Sequence, residues 1–463
     1  MPENRKERKE ERMMKKYNLV VIGFGKAGKT LSGAMAKHGQ KVALIEKDPN
    51  MYGGTCINVG CIPSKSLVTS AAASASLAGS FEEKAERYAM AIAEKRRVTS
   101  MLRGKNFKKL DDLENVDIYD GRGHFVSENQ VEVIKADGTK EILEADKIVI
   151  NTGSSSASIN LPGAIDNPLV HNSTSLMELD TLPKALTIIG AGYIGMEFAS
   201  MYANFGSAVT VVQKETVFLP REDRDIAENI HANLEKQGVK FIQADPIRIE
   251  GGVLTVAKDG KEEKIAGDAI LIAAGRRPNI EGLDLDKAGV KVSERGGIAT
   301  DDLLRTDNPN VFAAGDVNGG PQFTFISLDD YRIILPQLLS RIGYTRADRK
   351  NAPYSVFMDT PLARVGLSED QAAKMNLSYR VVKMPAGAIP KAQVLRKTDG
   401  MLKALIEKDT GKILGAALLC AESYEMINTI RLAMQMGADY KVLRDSIYTH
   451  PTMTEAFNDL FAM

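Results

Sequence analysis

Cysteine is scarce in this chain. There are three in 463 residues, at positions 56, 61 and 420, and five histidines. Three cysteines in a chain of this length exclude a secreted disulfide framework. In a reducing compartment a close cysteine pair is catalytic or metal-binding rather than a staple, so a cytoplasmic protein is expected. Net charge is also missing: 60 Lys plus Arg balance 60 Asp plus Glu. No global field then draws the chain to nucleic acid or to an anionic membrane, and neither is expected as a partner. No apolar run reaches the ~18 residues of a spanning helix, and no signal peptide is visible. Low-complexity tracts are absent too.

What is present is a globular composition, 44% hydrophobic and 26% charged. The length predicts two to four domains. The opening "MPENRKERKEERMMKK" is a mixed-charge run without an apolar segment. It reads as a disordered tail over residues 1–14, or as an early start with Met13 or Met14 as the alternative first residue.

Residues 17–46 carry a β-branched run, a glycine turn, a helical pattern and a second strand ending in Glu46. Gly23, Gly25 and Gly28 form a G-x-G-x-x-G after a strand and at the opening of a helix, with an acid about 20 residues on. Such glycines let the backbone approach a pyrophosphate at the helix N-terminus, and Glu46 would accept from a ribose. The unit recurs at 186–213 with Gly190, Gly192 and Gly195. A doubly wound domain without a ligand explains one fingerprint more easily than two. Two units imply two dinucleotides. The second ends in Gln213 and Lys214 rather than an acid, which leaves NADH against NADPH open.

Residues 80–115 read as a charged helix. "KIVINTGSSS", "AILIAAGRRPN" and "TDNPNVFAAGDV" are apolar strands running into Gly153, Gly275 and Gly315. Asp316 follows the last at a strand's carboxyl end, where α/β proteins bind ligands; a helix N-cap is its bland role. From about 350 short strands mix with helical segments, which reads as an α+β domain. The fold class expected is α/β, with two Rossmann-type domains and a C-terminal α+β domain.

Cys56 and Cys61 lie in "YGGTCINVGCIPSKS". A zinc site needs about four ligands, and none is near enough in sequence to complete one, so no metal is expected. A staple across so short a gap removes little chain entropy. A reversible dithiol–disulfide fits better. Pro63 suits a first helical turn, which puts Cys61 at a helix N-terminus where a thiolate is stabilised, with Lys65 adding a cation. Cys56, on the glycine-rich approach, reads as the more accessible thiol. A dithiol needs electrons, and a flavin between nicotinamide and disulfide is the natural relay. The first unit then holds FAD and the second NADH or NADPH. In "YTHPTMTEAFND", His450 is an acid–base candidate near neutral pH, with Glu455 fixing its tautomer. Cys420, in the apolar "ILGAALLC", reads as a buried small hydrophobe.

These segments resemble the flavoprotein disulfide reductases, the pyridine nucleotide-disulfide oxidoreductase family. "GGTCINVGCIPSK", "GAGYIGMEFA", "AAGRRPN", "VFAAGD" and "HPTMTE" stand in the family's order. The resemblance implies an FAD domain over 15–154, an NAD(P)H domain over 155–280, a central segment over 281–347 and a dimerisation domain over 348–463. It implies a homodimer in which His450 serves the cysteines of the other subunit. Cys56 matches the interchange thiol and Cys61 the thiol facing the flavin. Lys65 and Glu197 match an ion pair at the flavin edge. Gly54, Thr55 and Gly153, with Glu46, Gly315 and Asp316, match FAD contacts. Tyr193 matches an aromatic over the nicotinamide pocket, with Ile194, Gln213 and Gly275 in the same site. "GFGKAGKT", "QFTFISLDDYRI" and "FLPREDRDIA" are similar to a branch associated with reactive-chlorine resistance, hypothiocyanous acid reduction and copper(II) reduction. That branch implies a small thiol-reactive oxidant as substrate in oxidative-stress defence. A dihydrolipoamide dehydrogenase, a general disulfide reductase and a copper(II) or mercuric reductase are the enzymatic alternatives. A redox-sensing binding protein is the alternative from another class.

Overall fold

The structure, a computed structural model, describes residues 15–341 and 343–463. The charged opening run lies outside the described residues, apart from its last two lysines. The chain forms two compact units, each built from separate stretches. Among the described residues no helix is long and apolar enough to cross a membrane.

The first unit takes the described residues up to Cys61, then Thr99–Ser155 and Arg276–Asp348. Its strands are β1 (Lys15–Ile22), β2 (Val42–Glu46), β3 (Val116–Asp120), β4 (Arg122–Ser127), β5 (Gln130–Ile134) and β6 (Lys140–Ile150). They lie in the order β3-β2-β1-β6-β5-β4, and the strand Val311–Ala313 also pairs with β6. β1 is parallel to both neighbours, with Val20 opposite Ala43 and Ile148. A strand covered on both faces is a continuous apolar run. Accordingly Leu19 and Val21 pack with Leu31 and Met35 of helix α1 (Lys26–Lys37), and Val20 and Ile22 pack with Ile148 and Ile150 on the other side. Helix α2 (Thr55–Asn58) follows; α3 (Cys61–Ser76) beyond its first residue, and the 31-residue α4 (Phe81–Asp111) up to Val98, belong to the second unit.

The second unit takes Ile62–Val98, Ser156–Gly275 and Arg349–Met463. It holds a parallel sheet around Ala185–Ile189, with Ala208–Gln213 on one side and Ala269–Ile272 on the other. An antiparallel three-stranded sheet spans Asp245–Ala266. A five-stranded antiparallel sheet begins at Tyr354–Val356 and carries the helix Ser423–Gln435 against it. Its core includes Ala363, Leu402, Leu418 and Phe457. Two parallel glycine-turn units and an α+β segment thus stand where the sequence indicates them.

Candidate active site

The first glycine turn is tight against its own neighbours. Gly23 has φ +104°, and a β-carbon there would fall 2.4 Å from the Asn151 carbonyl oxygen. At Gly25 it would fall 2.3 Å from Asn151 Oδ1, and at Gly28 2.7 Å from Val21 Cγ1. Asn151 is the residue the sequence reading passed over. Its Oδ1 accepts from the Gly28 N–H (2.9 Å) and its Nδ2 donates to the Ala314 carbonyl (2.6 Å). Its position directly after an apolar strand that runs into Gly153 was the available signal. Glu46 is buried, and its carboxylate accepts from the N–H groups of Phe24 (2.9 Å) and Asp48 (3.3 Å). Burial raises its pKa, against those backbone donors.

On the far side of this turn Gly54, at φ +82°, would put a β-carbon 2.8 Å from Gly25 Cα. Thr55 opens α2, and its hydroxyl lies 3.6 Å from where a β-carbon of Gly153 would be. Asp316 is no helix cap: Ala314 is the cap of its short 3-10 turn. Its Oδ2 instead accepts from the Ser154 hydroxyl (2.6 Å), and Arg276 donates to Ser154 Oγ (2.9 Å). The Gly315 N–H donates to buried Asp330. Helix α1 starts at Gly25 with no side-chain cap. Glycines that admit no side chain, an uncapped helix start and an oriented carboxylate fit a dinucleotide whose pyrophosphate meets the helix end.

The second turn repeats this logic. Gly190 has φ +108°, with Ala273 O at 2.7 Å from a β-carbon, and Gly195 would meet Gly190 O at 2.2 Å. Gly192 faces open space and caps the helix Tyr193–Phe205 without a side-chain bond. Gly275, at φ +102°, is open as well. Tyr193 donates its hydroxyl to Glu222 Oε1 (2.5 Å), and Ile194 follows it into the helix, partly buried on the core. Gln213 donates to the Glu215 carbonyl (2.8 Å), and Lys214 pairs with Asp245 (2.9 Å).

Lys65, one turn along α3, pairs with Glu197 through both oxygens, at 2.9 and 2.7 Å. The Phe357 N–H donates to Glu197 Oε1 (2.8 Å), and Lys65 Nζ lies 4.7 Å from the Phe357 ring centroid. Cys56 sits in α2 and Cys61 is the first residue of α3. Cys61 is the exposed thiol and Cys56 is half-buried, the reverse of the accessibility expected from the glycines. The reason is local: Gly60 folds back on Thr55 and Cys56, while Cys61 stands at an open helix end. A hydrogen bond with Cys61, then burial, pushes the Cys56 thiol well up. Thr324 Oγ1 is 3.7 Å from Cys61 Sγ. His450 is exposed and its Nδ1 lies 2.8 Å from Glu455 Oε2.

Residues 17–329 match the family described as pyridine nucleotide-disulphide oxidoreductase, and residues 352–461 match that family's dimerisation domain. The probable pyridine nucleotide-disulfide oxidoreductase RclA of Escherichia coli is 47% identical over 97% of this chain and 100% of its own. A solved structure, the Cu(II) complex of the HOCl-induced flavoprotein disulfide reductase RclA from that organism, superposes with a TM-score of 0.90 at 46% identity, covering 97% of this chain and 99% of its own. The mitochondrial dihydrolipoyl dehydrogenase of Pisum sativum is 33% identical over 96% of this chain and 90% of its own. Family membership brings FAD and a nicotinamide nucleotide as cofactors, and it brings a dimerisation domain. The chain belongs to the pyridine nucleotide-disulfide oxidoreductases and is a flavoprotein disulfide reductase enzyme.

Proposed function

We propose that the enzyme uses NAD(P)H to reduce a small thiol-reactive oxidant, hypothiocyanous acid, through Cys56 and Cys61 in oxidative-stress defence. The observation that carries this reading is the thiol pair itself. Two hydrogen-bonded cysteines share a glycine-rich turn, one of them at the N-terminus of a long helix. A helix start lowers the cost of a thiolate. Likeness to an HOCl-induced reductase supports the oxidant class.

In this reading Cys56 gives up its proton to His450 of the partner subunit as its sulfur attacks the sulfur of the oxidant. A sulfur–sulfur bond forms, the sulfur–oxygen bond breaks, and hydroxide leaves as water with one proton. Cys61 then attacks the Cys56 sulfur and expels thiocyanate, leaving the Cys56–Cys61 disulfide. The oxidant gains two electrons and the dithiol loses two. A bound flavin and nicotinamide supply the electron pair that restores the dithiol. His450, oriented by Glu455, carries the proton for the cysteines of the partner subunit in a homodimer. Lys65 and Glu197 hold the flavin edge. Gly23, Gly25, Gly28, Glu46 and Asp316 hold FAD, and Gly190, Gly192 and Tyr193 hold the nicotinamide nucleotide.

The test is NADH and NADPH oxidation by the purified flavoprotein with hypothiocyanous acid, with Cys56→Ser alongside. Rapid turnover lost in the variant supports the reading and identifies the preferred nucleotide. Slow turnover beside brisk lipoamide reduction moves the substrate to disulfides, in line with the dihydrolipoyl relative. Copper(II) reduction is a second reading, favoured by the Cu(II) complex recorded for the E. coli relative. Among the described residues no group of three or more His, Cys, Asp or Glu is arranged to hold a metal ion. Copper would then take electrons at the cysteine pair.

A further inference from the structure

The loop that carries Cys56 is held by cations from two helices. On α1, Lys29 is half-buried, and its ammonium donates to the Gly53 carbonyl (3.0 Å) and to Asn106 Oδ1 (2.6 Å). On α4, Arg103 donates to Asn58 Oδ1 (2.9 Å), and Asn58 in turn donates to the carbonyls of Tyr52 and Gly54 (both 3.0 Å). Both grips are on neutral acceptors. The two helices run side by side: Lys29 meets Asn106, and a β-carbon at Gly33 would lie 3.3 Å from Leu110. Spacing of three along a helix keeps residues on one face. Lys26 therefore shares a face with Lys29, and Arg103 and Lys109 share one with Asn106. Among the described residues none of Lys26, Lys29, Arg103 and Lys109 has a carboxylate partner. Asp112, the acid one turn beyond Lys109, is held by Lys108 at 2.6 Å.

Burial first, then Lys26, pulls the Lys29 ammonium down to about 8, with Lys109 adding to this and Cys56 opposing it. The field is mutual: Lys29 eases ionisation of Cys56. Half-buried positive charge at Lys29, without a carboxylate partner among the described residues, is costly unless an anion uses it.

We propose that Lys29, supported by Lys26, Arg103 and Lys109, forms an anion subsite beside Cys56 that receives the small anion displaced from the Cys56 sulfur. The inference rests on Cys56 as the interchange thiol. For hypothiocyanous acid the anion is thiocyanate, released when Cys61 attacks the sulfenylated Cys56. A positive pocket lowers the charge cost of that departure and draws an anionic oxidant inward.

The test compares alkylation of Cys56 by iodoacetate and by iodoacetamide in the reduced holoenzyme carrying Cys61→Ser, at about pH 7, below the lowered Lys29 value. The two reagents share one mechanism and differ in charge, so their rate ratio cancels any change in thiolate fraction. The ratio is expected to fall about tenfold in Lys29→Met and to be restored in Lys29→Arg. Sodium thiocyanate is expected to slow iodoacetamide at Cys56 more than sodium chloride does, and to lose that effect in Lys29→Met. An unchanged ratio in a Lys29→Met protein with normal flavin absorbance overturns the subsite, as does equal protection by the two salts. Should Lys29→Met fail to fold, Lys109→Met at its exposed position is expected to lower the ratio about twofold, and no drop overturns the proposal. If hypothiocyanous acid is not turned over while the ratio falls as expected, the substrate reading fails and the anion subsite stands.

Discussion

Cys420 follows the strand Ile413–Leu419 with no exposed surface, its sulfur 3.8 Å from Met426 Sδ. Burial pushes its thiol up to about 12. A thiol that is both inaccessible and protonated does not react. Native, reduced enzyme treated with iodoacetamide at about pH 8 is therefore expected to be labelled at the exposed Cys61 and not at Cys420, as read by peptide mass mapping. Lys29 gives a second residue-scale expectation. Its folded value lies below the ordinary 10.5, at about 8. Between those values the unfolded chain binds more protons than the folded one, so stability rises with pH through that window. Below it the desolvation cost is present in full. The groups acting on this ammonium are Lys26 from α1, Lys109 from α4 and Cys56 from α2. Relative to Lys29→Met, the wild type is expected to gain about 2 kcal/mol between about pH 8 and 10.5, after allowing for partial exposure. Paired urea titrations at the two ends check it, and a wild-type stability minus variant stability that falls with rising pH contradicts it.

Among the elements, the first glycine turn is the most legible from sequence and Asn151 explains why. The β-branched run, the three glycines and the closing acid are local in the chain, so their spacing reports their geometry. The partner that makes Gly25 obligatory, Asn151, lies 126 positions away, and its place after an apolar strand does not say which turn it serves. Gly25→Ala drives a methyl group onto Asn151 Oδ1 at 2.3 Å although the backbone there is an ordinary one, φ −67°. Overpacking of this kind costs about 1–3 kcal/mol. FAD content, read as flavin absorbance per protein, is expected to fall with it. The segment 218–227 shows the opposite limit. By its sequence it stands only as a branch signature. In the structure Glu222 is buried and accepts from Tyr193 (2.5 Å), from Tyr354 (2.6 Å) and from Arg364 (2.9 Å), which also reaches Asp223 (3.3 Å). The bonds to Glu222 reach up to 142 positions along the chain, so no periodicity announces them. Glu222→Gln leaves Arg364 buried with one carboxylate fewer. Breaking a buried pair from one side costs about 3 kcal/mol, to be seen as a lowered melting temperature with the thiol pair still reducible.

At the scale of the whole molecule the question is which chain supplies the proton. His450 and Glu455 belong to the C-terminal unit, 2.8 Å apart, and that segment matches the family's dimerisation domain. An exposed imidazole with a carboxylate on one nitrogen has its other nitrogen available for work. If that work is done on the partner's cysteines, two dead chains complement each other. Cys56→Ser keeps His450 and loses the thiol. His450→Ala keeps the thiol and loses the imidazole. In a mixed dimer one site combines the intact Cys56 of one chain with the intact His450 of the other, and the second site lacks both. Random re-pairing of equal amounts makes about half of the dimers mixed, each with one intact site of two, so turnover returns to about a quarter of the wild-type value per flavin. If the histidine acts within its own chain, every site in every dimer lacks one group and the mixture stays as inactive as its parents. Differently tagged chains, unfolded and refolded together, then purified over both tags, isolate the mixed dimer. Its activity with hypothiocyanous acid, or with whichever oxidant the enzyme proves to turn over, is expected at about half of wild type in the crossed arrangement and at the parental background otherwise.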